Sequence, residues 1–366
     1  MILPIDLHAL SIFLAALAAG LLTCLVQWLL HPVAHRLNLL DHPSGRKDHS
    51  QATPVTGGLA MALGALLVTY FVSDTATRVL YGFMLGSGLL IGVGVLDDKY
   101  DLPWWLRIGV QVLAALSMIY LGGVQIQHLG PLFGFGDAAL GRFAVPFTVF
   151  ATVGLINTIN MIDGADGLAG SLVAAALTML AAAALYAGND GLALLIGVLD
   201  GAVLGFLAYN MRLPWRPRAR LFMGNAGSTF LGYAIAWAAF RLTQNPFHDV
   251  SPILALWVLP VPVMDTLVVM LRRVVLHKSP FHADRNHIHH LMLDAGFGPT
   301  RTALFLALFS GVTGLACGIA LRADVPEPLL LGTYLALCAF WYWLTSPRER
   351  AIGFFRRFRT LGLAPR

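Results

Sequence analysis

Long apolar runs, broken by short polar stretches, dominate this chain. A helix needs about 20 mostly apolar residues to cross a bilayer. Eleven segments meet or approach that length: 7–30, 55–72, 79–96, 106–121, 143–162, 168–187, 191–209, 227–242, 251–270, 302–321 and 327–344. Glycine recurs within them, as at Gly82, Gly86, Gly88, Gly92 and Gly94, where small residues let helices approach closely in lipid. The pattern predicts an all-α polytopic membrane protein with one integral-membrane domain over residues 1–346. Residues 347–366 form a tail that mixes arginines with Ile352, Phe354, Phe355 and Phe358. It is expected to be a basic amphipathic helix seated on an anionic leaflet.

Composition sharpens this picture. Only 12% of residues are charged, against about 25% in soluble domains, and so many spans leave no room for a separate soluble domain. If the loop at 31–54 is cytoplasmic, 20 of the 24 Lys and Arg residues share that side. The positive-inside rule then places the N-terminus in the periplasm and the C-terminus in the cytoplasm. The net charge of +5 is accounted for by topology and anionic substrates, so no nucleic-acid partner is inferred. The first segment lacks a basic n-region and exceeds a signal-peptide h-region, so it is expected to remain as a helix. Cys24, Cys317 and Cys338 lie within apolar spans without CxxC spacing and are read as packing residues.

The unusual polar residues gather on the predicted cytoplasmic side. Asp97-Asp98-Lys99 ends the third run, and Asn157 to Gly167 ends the fifth with Asn160, Asp163 and Asp166. Arg220 to Ser228 precedes the eighth, and Asp41 to His49 follows the first. His282 to His290 forms a histidine-rich loop after the ninth. Each cluster has a structural reading: a solvated helix end, a topology determinant or a turn. Carboxylates at the bilayer edge are costly to desolvate and usually face a cavity, a bundle interior or a metal, and several clusters on one face point to an active site. Asp200, mid-span, is expected to make an interhelical hydrogen bond. Asp265 is expected to orient the histidine loop.

These residues resemble the polyprenyl-phosphate N-acetylhexosamine-1-phosphate transferases across nearly the whole chain. The matching features, in order, are Asp41-x-Pro43-x-x-Arg46-Lys47, Asp97-Asp98, Asn157-x-x-Asn160-x-x-Asp163-Gly164-x-Asp166-Gly167-Leu168, Phe222-Met223-Gly224-x-x-Gly227-Ser228 and the histidine loop. Ser279-Pro280-Phe281 and His287-Ile288-His289-His290 look most like the bacterial WecA type. That branch moves GlcNAc-1-phosphate from UDP-GlcNAc to undecaprenyl phosphate, releasing UMP, as the first membrane step of O-antigen-type surface glycan synthesis at the inner membrane. The resemblance implies Mg²⁺, with Mn²⁺ as a substitute, and allows a homodimer. It implies that Asp97 and Asp98 activate the lipid phosphate and help hold the metal. Asn160, Asn225 and Asp98 face the ion, with Asp163 beside the diphosphate. Asp166 would bind uracil and Phe222 would stack on it, while His287, His289, His290 and Arg285 hold diphosphate and sugar. Arg46, Lys47 and His49 would draw in the lipid phosphate. Where the family usually has aspartate, this chain has Asn225; an amide oxygen still ligates Mg²⁺ but brings no charge, so metal affinity and turnover should fall. Other UDP-N-acetylhexosamines or UDP-MurNAc-pentapeptide are alternative donors. The alternative class is a secondary transporter, whose site would lie near the bilayer midplane, often within repeats.

Overall fold

Each of the eleven apolar runs coincides with helix in the computed structural model, which describes residues 7–41, 52–73, 77–248, 250–279 and 284–360. The helices are α1 (Leu7–Arg36), α2 (Gly57–Val72), α3 (Arg78–Tyr100), α4 (Trp104–Leu116), α5 (Ala144–Ile162), α6 (Leu168–Tyr186) and α7 (Asp190–Asn210). They continue with α8 (Gly224–Thr243), α9 (Leu254–Trp257), α10 (Pro260–Val275), α11 (Ile288–Asp294), α12 (Pro299–Arg322), α13 (Glu327–Thr345) and α14 (Arg348–Thr360). A π-helical turn, Ser117–Leu121, prolongs α4. Two short antiparallel strands, β1 (Leu40–Asp41) and β2 (Thr53–Pro54), join the loop after α1 to the start of α2. Among the described residues, eight helical segments are long and apolar enough to cross a membrane. The chain is thus a polytopic helical membrane protein.

The three remaining runs depart from that standard for separate reasons. α2 is apolar but only 16 residues long. α8 is enclosed by protein, with 16 of its 20 residues buried, so polar residues in it need not meet lipid. It packs against α2, α3 and α5, and Phe83 of α3 stacks on Tyr233 with ring centroids 5.7 Å apart. The run at 251–270 is broken into α9 and α10, and α10 opens on Pro260 with Pro262 in its first turn. Proline is tolerated there because the first helical N–H groups have no partner within the helix.

Close backbone contact seats α8. A Cβ on Gly58 would stand 2.1 Å from the Gly227 nitrogen, so a side chain there would push α2 off the α8 N-terminus. At the other end of the chain, α14 packs on α11. Ala351 and Phe355 are buried, and Phe355 meets Phe297 with centroids 6.0 Å apart. Arg348 pairs with Asp294, and Arg359 donates to the Gly296 carbonyl at 3.2 Å. Part of the tail's apolar face is therefore used on protein, and Phe354 stays exposed. Asp200 makes its expected interhelical bond, accepting from Thr178 Oγ1 at 2.8 Å.

Candidate active site

The paired aspartates at the end of α3 point to different partners. Asp98 Oδ1 accepts the Asn225 N–H at 2.7 Å, and Oδ2 accepts that of Ala226 at 3.4 Å. Its carboxylate thus caps the N-terminus of α8, where free N–H groups and the helix dipole favour negative charge. Gly224 makes this approach feasible: its φ is +70°, and a Cβ there would stand 2.5 Å from Asp98 Oδ2. Asp97 is buried. Its Oδ1 accepts the Leu102 N–H at 2.8 Å, and its Oδ2 pairs with Arg107 at 3.3 Å. The structure therefore joins Asp98 to the other clusters and uses Asp97 to fasten α3 to α4.

The asparagine–aspartate segment reaches the same place from α5. Asn160 Nδ2 donates to Asn225 Oδ1 at 2.9 Å and to Ser228 Oγ at 2.8 Å, so two of the expected metal-facing residues touch. Asn157, one turn earlier, donates to Gln111 Oε1 at 2.7 Å and ties in α4. Asp163 caps α5, and its carboxylate has no hydrogen-bond partner among the described residues. Burial pushes that carboxyl up to about 7, and the charges of Asp166 and Asp98 push the same way. Asp166 pairs with Arg212 at 2.5 Å. Asn210 accepts the Gly167 N–H at 2.7 Å and donates to the Leu221 carbonyl at 2.9 Å, locking this turn to the segment leading into α8. Phe222 sits in that segment, its N–H bonded to the Pro54 carbonyl at 2.8 Å and its carbonyl to the Gly57 N–H at 3.1 Å.

The histidines arrive on a short helix. Fully buried Asp265 accepts from His287 Nδ1 at 2.8 Å, from the Ile288 N–H at 3.0 Å and from Trp341 Nε1 at 3.1 Å. This is the orienting role expected of Asp265, and it leaves His287 Nε2 facing away from that carboxylate. His289 is fully buried, and neither ring nitrogen has a partner among the described residues. Its Nε2 lies 2.4 Å from where a Gly164 Cβ would stand, so α11 packs directly on the aspartate turn. Burial, followed by the electrostatic influence of His290, His287 and Arg285, holds His289 well below the ordinary histidine range, and it is neutral. The His289 and His290 rings are 4.1 Å apart. Arg285 faces Asp294 at 3.8 Å, and its carbonyl accepts from Arg348 at 2.8 Å.

Among the described residues, no three His, Cys, Asp or Glu side chains form a ready metal cluster. The hard donors available are the carboxylates of Asp98 and Asp163 and the amide oxygens of Asn160 and Asn225. That set suits a cation that takes one or two carboxylates and completes its shell with substrate phosphates. Unpaired Asp163, raised by burial and like charge, is the group that such an ion would satisfy. Arg46, Lys47 and His49 lie outside the described residues. The sequence reading missed Arg212, Asn210 and Gln111, and gave Ser228 a place in a motif but no role. Arg212 is one of the 20 basic residues that the positive-inside count places on the cytoplasmic side, and that count carries no information on ion pairing.

Residues 80–243 match the family model described as glycosyl transferase family 4. The chain is 31% identical to the undecaprenyl-phosphate α-N-acetylglucosaminyl 1-phosphate transferase of Escherichia coli (strain K12) over 349 residues, covering 93% of this chain and 90% of that one. It is 31% identical to the Yersinia pestis protein of the same name, covering 89% of each. Identity to the Haemophilus influenzae counterpart is 36%, covering 83% of this chain and 84% of the relative. The chain belongs to glycosyl transferase family 4, among the polyprenyl-phosphate N-acetylhexosamine-1-phosphate transferases.

Proposed function

We propose that this protein transfers GlcNAc-1-phosphate from UDP-GlcNAc to undecaprenyl phosphate, releasing UMP, at the cytoplasmic face of a bacterial inner membrane. The observation that carries this reading is convergence. Asp98, Asn160, Asp163, Asp166, Asn225 and His289 come from four separate segments and meet at one end of the helix bundle. A site at one end, and not at the midplane, suits a water-soluble nucleotide meeting a lipid whose tail stays in hydrocarbon, and it argues against a transporter. The gathering of 20 of 24 basic residues on one side supports, by the positive-inside rule, an eleven-span topology with a periplasmic N-terminus.

In this reading the lipid phosphate oxygen attacks the β-phosphorus of the donor, and UMP leaves. Several negative charges must be brought together, so catalysis is mostly positioning and charge neutralisation. Asp98, Asp163, Asn160 and Asn225 would hold Mg²⁺, which supplies charge neutralisation for the diphosphate when bound. Asp98 itself is fixed by the α8 N–H groups and cannot swing away. His287, with its Nδ1–H anchored on Asp265, presents Nε2, while His290 and Arg285 offer N–H donors to the donor phosphates and sugar. Neutral His289 can donate a hydrogen bond without adding charge. Asp166, steadied by Arg212, would accept from the uracil N–H, with Phe222 alongside the ring. Purified protein given UDP-GlcNAc, undecaprenyl phosphate and Mg²⁺ should release UMP in proportion to lipid-linked sugar, and faster than with UDP-GalNAc. Release of UMP without lipid product, or only with another donor, would overturn the assignment.

A further inference from the structure

A cavity with basic side chains on an otherwise apolar lining lies away from this cluster, where α1 leaves the membrane. It is a cavity of about 720 Å³ between the end of α1, the start of β2 and residues 218–221. Asp98, Asp163, Asn225 and His289 do not line it. Among the described residues its chemistry is one-signed: His31, His35, Arg218 and Arg220 line it, and no described Asp or Glu does. Among the described residues neither Arg218 nor Arg220 has an ionic partner. Gln27, His31 and His35 are spaced four residues apart on α1, so they form one stripe along the helix. Gln27 marks the inner end of that stripe, and it is 1% exposed with neither amide atom bonded. A buried amide left without partners is expensive, and a ligand oxygen reaching the cavity floor would satisfy it.

Depth identifies the ligand. The 30 residues of α1 span about 45 Å at 1.5 Å per residue, longer than a hydrocarbon core of about 30 Å. Its last turns therefore stand among headgroups. Trp28, 67% exposed on the rim, is the residue type that settles at that boundary. An apolar rim at the lipid surface over a basic, carboxylate-free cavity fits a phosphate that carries acyl chains. We propose that this cavity binds the phosphate headgroup of an anionic membrane phospholipid, held by Arg218, Arg220, His31 and His35, apart from the acceptor-lipid site.

The test uses the full chain in neutral detergent micelles, titrated with dioleoyl phosphatidylglycerol, dioleoyl phosphatidylcholine or inorganic phosphate while its thermal midpoint is followed. Phosphatidylglycerol should raise the midpoint saturably, and phosphatidylcholine should not. Arg218→Gln/Arg220→Gln and His31→Ala/His35→Ala change exposed residues, and each should weaken apparent phosphatidylglycerol affinity at least fivefold. Arg356→Gln, a control on the basic tail, should leave it unchanged. If inorganic phosphate reproduces the effect, the phosphate chemistry stands and the source is soluble. The proposal is overturned if the two phospholipids act alike or if both cavity variants respond like the parent protein. It also fails if the arginine variant raises KM for undecaprenyl phosphate while keeping the phosphatidylglycerol response, because the cavity would then serve the acceptor.

Discussion

Replacing Asn225 with aspartate tests the cation site most directly. Asn225 is the second residue of α8, its N–H is held by Asp98, and its Oδ1 accepts from Asn160. A carboxylate is nearly isosteric and keeps both bonds, so the fold should not resist the change. Near the helix N-terminus the added charge gains about 0.3–1 kcal/mol, opposed by repulsion from Asp98. With a cation bound, the balance shifts. Two unit charges about 4 Å apart interact by about 4 kcal/mol at an effective dielectric near 20. If desolvation removes two-thirds of that, about 1.4 kcal/mol remains, equivalent to tenfold in rate. Asn225→Asp is therefore expected to raise Mg²⁺-dependent UMP release at least tenfold and to lower the Mg²⁺ concentration for half-maximal activity. The assay is a Mg²⁺ titration of both proteins at saturating UDP-GlcNAc and undecaprenyl phosphate. Superimposable titration curves would refute the placement of residue 225 beside the ion.

Other consequences can be measured separately. His289 is held neutral and below its ordinary value of 6.5, so below that pH the unfolded chain binds the extra proton. Its contribution to stability is present above pH 6.5 and falls by about 1.4 kcal/mol per pH unit on acidification. His289→Gln should flatten that slope between pH 7.5 and 5.5 in thermal unfolding, and parallel slopes would contradict a buried neutral imidazole. Asp265→Ala strands three donors, from His287, Ile288 and Trp341; at about 1–3 kcal/mol each, stability should drop by at least about 3 kcal/mol. Trp341→Phe removes one donor and should cost roughly a third as much, as chemical denaturation can check. Chelation with EDTA should stop UMP release, and Mg²⁺ or Mn²⁺ should restore it. Arg348→Ala releases Asp294 and the Arg285 carbonyl, so KM for UDP-GlcNAc should rise several-fold with little change in KM for the lipid.

Hydrophobic runs revealed the helices because a lipid-facing span must be apolar along its whole length. The same logic weakens where protein replaces lipid: α8 keeps Ser228, Thr229 and Thr243 because it is wrapped by neighbouring helices. The break between α9 and α10 was present in Pro260 and Pro262, but apolar content alone does not register it. Asp98, Asn160, Asp163 and Asn225 were readable because clustered polar groups at span ends need a reason to be there. Adjacent residues on a helix face different ways, however, and only three-dimensional packing separates Asp97, tied to Arg107, from Asp98, tied to α8. Arg212 was hidden because basic residues near membranes have two uses, and spacing does not distinguish them. The tail's amphipathic pattern was visible, but an apolar stripe is equally suited to a bilayer and to the flank of α11.

The docking of α14 on α11 also bears on biosynthesis. During translation α14 leaves the ribosome after the helices that cross the membrane, and until it arrives Asp294 lacks Arg348 and Phe297 lacks Phe355. The bundle can thus be inserted before α11 gains its outer packing partner, with Asp265 already holding the start of α11 through His287 and Ile288.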